Sequence, residues 1–164
     1  MGRILAALAA ALTLCSAAPA LGMTDGGAGL SLSWPASGTV TRGFGYDPTM
    51  GEFHAGLDIG SLRSSDVRAA GPGVVEATGY TTGFEGYGNI VLVDMGSGIE
   101  ALYGHLASVR VADGDVVFPG ELLGQAGCTG WCTGTHLHFE LRSHGIAFDP
   151  WPLLPATIPG PEGG

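Results

Sequence analysis

Four of the five histidines stand in short motifs whose residue types suit metal binding or proton transfer. His54 and Asp58 form an H-x3-D element, His105 stands alone in Y-G-H-L, and His136 and His138 form an H-x-H element. Imidazole and carboxylate groups bind Zn²⁺ at about 2.0–2.2 Å, and three protein ligands leave a fourth position open for water. A metal in such a site lowers the pKa of water towards about 7, which makes amide hydrolysis feasible at neutral pH. With two histidines and one aspartate as ligands, His105 and one member of the H-x-H pair would remain to move a proton or stabilise an oxyanion.

The spacing of these residues restricts the elements that can position them. The stretch that begins with the H-x-H element alternates as a half-buried strand does. Residues two apart on a strand point to the same face, about 6.6 Å apart, so His136 and His138 can serve one site. On a straight strand His54 and Asp58 would lie about 13 Å apart. They therefore need a bend between them, which Gly56 would permit.

From Trp34 onward the chain consists of short apolar runs separated by glycine and turn residues, and no stretch shows a sustained helical period. We expect Gly96-Ser97-Gly98 to join two neighbouring strands, and the Asp113-Gly114 pair predicts a second hairpin. The predicted strands cover residues 39–41, 89–93, 99–103, 109–111, 116–118 and 137–141. This pattern predicts an all-β barrel or sandwich.

The N-terminus has the features of a secretory signal peptide over residues 1–20. Arg3 precedes an uncharged apolar run from Ile4 to Leu14, and Ala18-Pro19-Ala20 is a suitable cleavage site. The apolar run is too short to span a bilayer comfortably. We therefore expect an exported protein, periplasmic or extracellular, that is cleaved after Ala20 and then has no membrane anchor.

The rest of the chain divides into three segments by composition. Residues 21–33 are rich in glycine and predict a flexible linker. Residues 34–154 predict a single domain, which we expect to be monomeric. Residues 155–164 are rich in proline and glycine and predict a disordered tail.

Charge excludes some classes of partner. Fifteen acidic residues against six basic ones give a net charge of −9. Nucleic acids and anionic membranes require basic patches, so neither is an expected partner. Attraction to an anionic substrate would have to come from a local cation such as a metal.

Five segments, in this order, resemble the lysostaphin/LytM-type peptidoglycan metalloendopeptidases, and the resemblance covers residues 34–154. These segments are Arg42-Gly43-Phe44-Gly45-Tyr46, His54-Ala55-Gly56-Leu57-Asp58-Ile59, Tyr87-Gly88-Asn89, Tyr103-Gly104-His105-Leu106 and Gly134-Thr135-His136-Leu137-His138-Phe139-Glu140. The resemblance implies a mainly antiparallel β-sheet barrel or sandwich of the duplicated hybrid motif type, with a long substrate groove. It also implies an activity, the hydrolysis of peptide cross-links in bacterial peptidoglycan.

The resemblance assigns roles to individual residues. It implies that His54, Asp58 and His138 bind one Zn²⁺ per chain. His105 and His136 would be the catalytic pair, which positions and deprotonates the water and stabilises the oxyanion. A role for Tyr46 in binding the transition state also follows from the resemblance.

Two cysteines, Cys128 and Cys132, precede the H-x-H element where the family usually has small hydroxyl residues. A close pair in an exported protein favours a disulfide, and Gly130 would permit the tight curve it needs. The alternative is a closed C-x3-C-x3-H-x-H zinc site, which would leave no open position for catalysis.

Two other functions remain open at the level of sequence. A catalytically silent family member could bind cell wall or activate a murein amidase, although such members typically lack metal-site residues that are all present here. A secreted carbohydrate-binding module would explain Trp34, Trp131 and Trp151 but not the histidine motifs.

Glu140 could be a general base, but a carboxylate behind the metal ligands or on the surface is the favoured interpretation. His144 is interpreted as an exposed turn residue.

Overall fold

The computed structural model describes residues 30–159, and this part of the chain is almost entirely β-structure. Within it there is no α-helix and no helix long and apolar enough to cross a membrane. The strands are β1 (Thr39–Arg42), β2 (Gly45–Asp47), β3 (Glu52–His54), β4 (Leu57–Gly60), β5 (Asp66–Arg68), β6 (Gly73–Tyr80), β7 (Asn89–Asp94), β8 (Ile99–Gly104), β9 (Leu106–Val109), β10 (Val116–Val117), β11 (Leu122–Ala126), β12 (Leu137–Ser143) and β13 (Ile146–Phe148), with 3-10 turns at Glu85–Tyr87 and Trp151–Leu153.

All strand pairs within residues 30–159 are antiparallel. The large sheet has the order β1-β4-β12-β8-β7-β6-β10, and β13 also pairs with β12. A three-stranded sheet has the order β5-β11-β9, and β2 and β3 form a separate hairpin. The predicted all-β, mainly antiparallel fold is confirmed. The large sheet is open, ending at β1 and β10, so the described residues form no closed barrel.

The main core lies between the large sheet and the three-stranded sheet. On β12, Leu137, Phe139 and Leu141 are fully buried in this core. Burial of each such side chain contributes roughly 1.5–3 kcal/mol. Because side chains alternate across a strand, His138 and Glu140 point to the opposite face of the sheet. The histidine motifs therefore lie on the face away from the main core.

One predicted hairpin is confirmed and one is wrong. β7 and β8 pair as expected through the Gly96–Gly98 turn. The Asp113-Gly114 turn does form, with the Asp115 N–H donating to the Ala112 carbonyl at 3.0 Å, but the strands on either side of it do not pair. β9 pairs with β11, and β10 pairs with the eight-residue strand β6, which was not predicted. A turn signal is local, whereas strand pairing depends on which distant edges the core brings together.

Packing extends slightly beyond the predicted domain at both ends. Leu32 is buried in the main core, and its N–H donates to the Leu153 carbonyl at 3.1 Å. The Trp34 indole N–H donates to the Pro155 carbonyl at 2.9 Å. The predicted signal peptide and most of the predicted linker lie outside the described residues and stay predictions, as does disorder of the tail.

Candidate metal centre

Neighbouring strands of the large sheet bring Asp58 and His138 together. They are directly opposite each other in the β4–β12 register, and His138 in turn lies opposite Gly104 of β8. Asp58 Oδ1 is 2.8 Å from His138 Nδ1. Residues facing each other across an antiparallel pair are close by construction, so the sheet register determines this contact.

His54 reaches the same point from the β2–β3 hairpin. Its Nε2 lies 3.1 Å from Asp58 Oδ1 and 3.2 Å from His138 Nδ1. Arg42 ties the hairpin to β1, because its guanidinium lies 3.0 Å from Glu52 and 3.3 Å from Asp47. The three donor atoms of this cluster, one from each of His54, Asp58 and His138, form the candidate metal site.

Gly56 permits this convergence for a reason other than the expected bend. A Cβ at Gly56 would lie 2.3 Å from the Phe139 carbonyl oxygen and 2.9 Å from Glu140 Cγ. The connection from β3 to β4 therefore runs directly against β12, where only glycine fits. This close approach lies between His54 and Asp58 in the chain, and with it His54 reaches Asp58 and His138.

The hydrogen bonds on the outer side of each imidazole determine which ring nitrogens face the site. His54 Nδ1 lies 2.8 Å from the Gly43 carbonyl, which can only accept, so Nδ1 carries the proton. His138 Nε2 is 2.9 Å from Glu140 Oε1 and donates there in the same way. In the neutral form, both rings therefore direct an unprotonated nitrogen at the Asp58 carboxylate. Three acceptors at this distance repel one another unless protons or a metal cation lie between them.

The arrangement fits Zn²⁺. A tetrahedral ion with bonds of about 2.1 Å keeps its ligands about 3.4 Å apart, and the three donor atoms here are separated by 2.8, 3.1 and 3.2 Å. Burial by itself would raise the pKa of Asp58, but the His138 and His54 rings, when they carry a proton towards the carboxylate, hold it well below the usual range. Asp58 is therefore ionised and available as a ligand.

Glu140 lies behind the candidate site. Its side chain is fully buried, and Oε1 accepts hydrogen bonds from His138 Nε2 and from the Tyr87 hydroxyl, the latter at 2.6 Å. Burial, followed by the bond to Glu140, raises the pKa of the Tyr87 hydroxyl. Of the interpretations open to the sequence, the geometry agrees with a carboxylate that orients a ligand. The part of Tyr87 was missed, although its Y-G-N segment is one of those that carry the family resemblance.

His105 and His136 form a second pair beside the cluster. Their ring centroids are 4.7 Å apart, and His136 Nε2 lies 3.6 Å from Asp58 Oδ1. His105 Nδ1 donates to the Thr129 carbonyl at 2.8 Å, and His136 Nδ1 donates to the Gly134 carbonyl at 2.7 Å. In the neutral form each ring therefore has a free Nε2. Burial lowers the pKa of His105, which favours that neutral form.

A cleft of about 250 Å³ adjoins the candidate site. Apart from Asp58 and His136, its lining consists of small hydroxyl and glycine residues from β1, from the end of β4 with the residue that follows it, and from the loop before β12: Thr41, Gly60, Ser61, Thr133, Gly134 and Thr135. Such a lining offers hydroxyl and backbone groups that can hydrogen-bond an extended peptide.

The cysteine pair forms a disulfide in the structure, with the Cα atoms of Cys128 and Cys132 5.5 Å apart. Gly130 between them has a φ of 72°, as the tight curve requires. The expected disulfide agrees with this finding. The closed zinc site would need both thiolates, and the bond consumes them.

The remaining candidates differ in how exposed they are. Tyr46 is exposed on the β2–β3 hairpin, opposite Phe53. His144 is in the exposed turn between β12 and β13, as expected. Trp34 is a core residue, whereas Trp131 is 86% exposed at the tip of the disulfide loop.

Comparison with known proteins agrees with this geometry. The sequence profile of peptidase family M23 matches residues 52–150. The DD-carboxypeptidase/endopeptidase Mpg of Neisseria meningitidis is 38% identical over 109 residues, which are 66% of this chain and 24% of that protein. Lysostaphin of Staphylococcus simulans is 31% identical over 131 residues, covering 75% of this chain and 26% of lysostaphin.

Among solved structures, the catalytic domain of the prophage-encoded M23 protein EnpA from Enterococcus faecalis superimposes with a TM-score of 0.65 at 29% identity. The match covers 74% of this chain and 95% of that domain. The chain thus spans about a quarter of the length of Mpg and of lysostaphin but nearly the whole of a solved catalytic domain. The resemblance inferred from the sequence motifs is confirmed, and the chain belongs to peptidase family M23.

Proposed function

We propose that this chain is an exported, zinc-dependent endopeptidase that hydrolyses peptide cross-links of bacterial peptidoglycan. One observation carries the proposal. His54 and His138 each donate one N–H away from the cluster, so their free ring nitrogens converge on the Asp58 carboxylate. A divalent cation satisfies such a set of acceptors, and the donor types suit zinc.

In this proposal His54, Asp58 and His138 hold the zinc ion. When bound, Zn²⁺ supplies a Lewis acid that polarises the scissile carbonyl and makes water a stronger acid. Two neutral imidazoles and one carboxylate leave the loaded site with a net positive charge. In a chain with a net charge of −9, this local charge favours an oxyanion at the cleft.

His105 and His136 are the proposed catalytic pair. Each has a free Nε2 that can accept the proton of an attacking water. Once protonated, the same ring can donate to the leaving amine or to the oxyanion of the tetrahedral intermediate. His136 lines the cleft and is the more accessible of the two, so we assign it to the substrate carbonyl and His105 to the water.

The relatives and the predicted signal peptide support the proposed substrate class. Mpg is a DD-carboxypeptidase/endopeptidase, and lysostaphin is an antimicrobial peptidase. The predicted signal peptide would bring this chain to the compartment where peptidoglycan lies. The small, hydroxyl-rich lining of the cleft also suits a peptide with little side-chain bulk.

The test is mass spectrometry of fragments released from purified peptidoglycan by the zinc-loaded chain. Walls with direct stem cross-links and walls with glycine bridges should be digested in parallel to identify the bond. We expect new peptide termini, which disappear with a chelator and in the His138→Ala variant. His144→Ala is the matched control, since it removes an exposed histidine in a turn away from the cluster.

The result against the proposal is intact peptidoglycan of every wall type despite stoichiometric zinc. That outcome would favour the alternative of a silent family member that binds cell wall or activates an amidase. Sedimentation of the chain with insoluble peptidoglycan and stimulation of a purified amidase would then separate the two.

A further inference from the structure

We infer that the loop closed by the Cys128–Cys132 disulfide is a positioning device for His105, and that Thr129 is the residue through which it acts. The inference rests on the proposed function insofar as it treats His105 as catalytic. It adds a residue that is neither a proposed metal ligand nor part of the proposed catalytic pair.

His105 requires external support because of its place in the chain. It follows the last residue of β8, Gly104, and has a φ of 61°, a left-handed conformation that is uncommon for residues other than glycine. Its backbone N–H donates to the Tyr87 carbonyl at 2.7 Å. Its ring donates from Nδ1 to the Thr129 carbonyl at 2.8 Å. The single Thr129 contact therefore sets both the rotation of the ring and the tautomer that leaves Nε2 free.

Thr129 is itself hydrogen-bonded to the first residue of β9, Leu106. Its hydroxyl donates to the Leu106 carbonyl at 3.0 Å and accepts the Asn89 backbone N–H at 2.9 Å. Leu106 is the residue after His105. Thr129 thus contacts two consecutive residues: its carbonyl accepts from the His105 ring, and its hydroxyl donates to the Leu106 carbonyl. These two hydrogen bonds together fix the position of the loop relative to His105.

The loop around Thr129 is short and closely packed. The disulfide joins Cys128 and Cys132 on either side of it. The Trp131 N–H donates to the Gly86 carbonyl at 2.9 Å, and a Cβ at Gly88 would lie 2.4 Å from the Thr129 carbonyl carbon. A covalent closure of five residues removes conformations in which the Thr129 carbonyl turns away. The role of the disulfide is therefore local: it keeps the acceptor of the His105 proton in place.

The test combines substitutions with a readout that does not depend on turnover. Thr129→Val removes the hydroxyl and keeps the shape, Thr129→Ser keeps the hydroxyl, and Cys128→Ser with Cys132→Ser opens the loop. The tautomer of His105 is read from its ¹⁵N chemical shifts in the zinc-loaded chain. Zinc content, KM and kcat are measured on the same samples.

We expect the valine and double-serine variants to lose the predominance of the Nδ1–H tautomer of His105. Their kcat should fall about 10–100-fold, with zinc content unchanged and KM within about twofold. Thr129→Ser should restore the tautomer and kcat to within about threefold of the parent chain. The two-dimensional amide spectrum checks that each variant is folded.

The inference is overturned if the His105 tautomer is unchanged in both the valine and double-serine variants, or if zinc is lost along with activity. Zinc loss would mean that the loop supports the metal site as a whole. Failure of the proposed function is distinguishable, because a parent chain that cleaves no peptidoglycan still reports its His105 tautomer and zinc content in every variant.

Discussion

The sharpest structural prediction concerns Glu140, the fully buried carboxylate behind His138. We consider Glu140→Gln, which keeps the size and shape of the side chain. Oε1 now accepts from both His138 Nε2 and the Tyr87 hydroxyl, while Oε2 lies 3.6 Å from Arg142 Nε. The amide of glutamine has one acceptor end and one donor end. If its N–H₂ group takes the place of Oε1, it faces His138 Nε2 and the Tyr87 hydroxyl, and if it takes the place of Oε2, it faces Arg142 Nε. Either orientation therefore places a donor against another donor.

The magnitude follows from these contacts. A hydrogen bond to a charged group contributes about 1.5–3 kcal/mol, against about 0.5–1.5 kcal/mol for a neutral one. Replacing the carboxylate therefore weakens the hydrogen bond from His138 by about 1 kcal/mol. The two donors that then face each other cost about a further 1–3 kcal/mol. Loss of a carboxylate behind a metal-binding histidine typically lowers metal affinity by about 10–100-fold. We expect a weakening of zinc binding in that range and a decrease in the free energy of unfolding of about 2–4 kcal/mol.

The assay is competition for Zn²⁺ between the purified chain and a chromophoric chelator, with thermal unfolding of the zinc-free chain measured separately. Glu76→Gln is the matched control, because it removes the same charge from an exposed position on β6. The comparison isolates the contact with His138 from the general effect of one negative charge.

The reasoning is refuted if Glu140→Gln binds zinc within a factor of about two of the parent chain and unfolds at the same temperature. Such a result would mean that a neutral acceptor orients His138 as well as a carboxylate does. Weakening of equal size in the Glu76 control would also contradict it, since the effect would then be one of overall charge.

Three other outcomes are expected. Removal of zinc should lower the melting temperature, because a ligand present at about 100 times its Kd stabilises the folded state by about 2.7 kcal/mol; calorimetry with and without chelator would show no difference if the cluster holds no metal. Gly56→Ala should destabilise the fold by about 1–3 kcal/mol or more, since its Cβ would meet the Phe139 carbonyl at 2.3 Å, whereas Gly43→Ala has open space and should be tolerated in the same denaturation experiment. Expression in a host with a secretory pathway should yield an exported chain whose N-terminal residue is Leu21; an N-terminus at Met1 in the cytoplasm would contradict the predicted signal peptide.

Much of the candidate site could be predicted from the sequence because its motifs lie on single elements. The H-x-H pair occurs at the start of a strand in which apolar and polar residues alternate, so the face opposite Leu137 and Phe139 had to carry His138. The hairpin of β7 and β8 was equally local, since its turn residues and both flanking runs are contiguous. In each case the information needed lies within about fifteen residues.

The wrong hairpin shows where this local reasoning ends. The Asp113-Gly114 signal does produce a turn, yet β9 and β10 leave it for different sheets. The role of Gly56 shows the same limit, because the sequence indicates a flexible residue and the structure requires a small one against Phe139. Both outcomes depend on which strand lies alongside, and no nearby residue carries that information.

Taken by itself, the sequence determined the residue types of the site, the all-β class and the family, because these depend on motifs and on the alternation of side chains. Only the tertiary structure decided how the donors are held. Three contacts show this, because each joins distant parts of the chain. Asp58 and His138 are 80 residues apart, Tyr87 and Glu140 are 53 apart, and His105 and Thr129 are 24 apart. Zinc chemistry needs particular residues, but a free ring nitrogen needs a particular neighbour on the other side of the ring, and that neighbour is supplied by the fold.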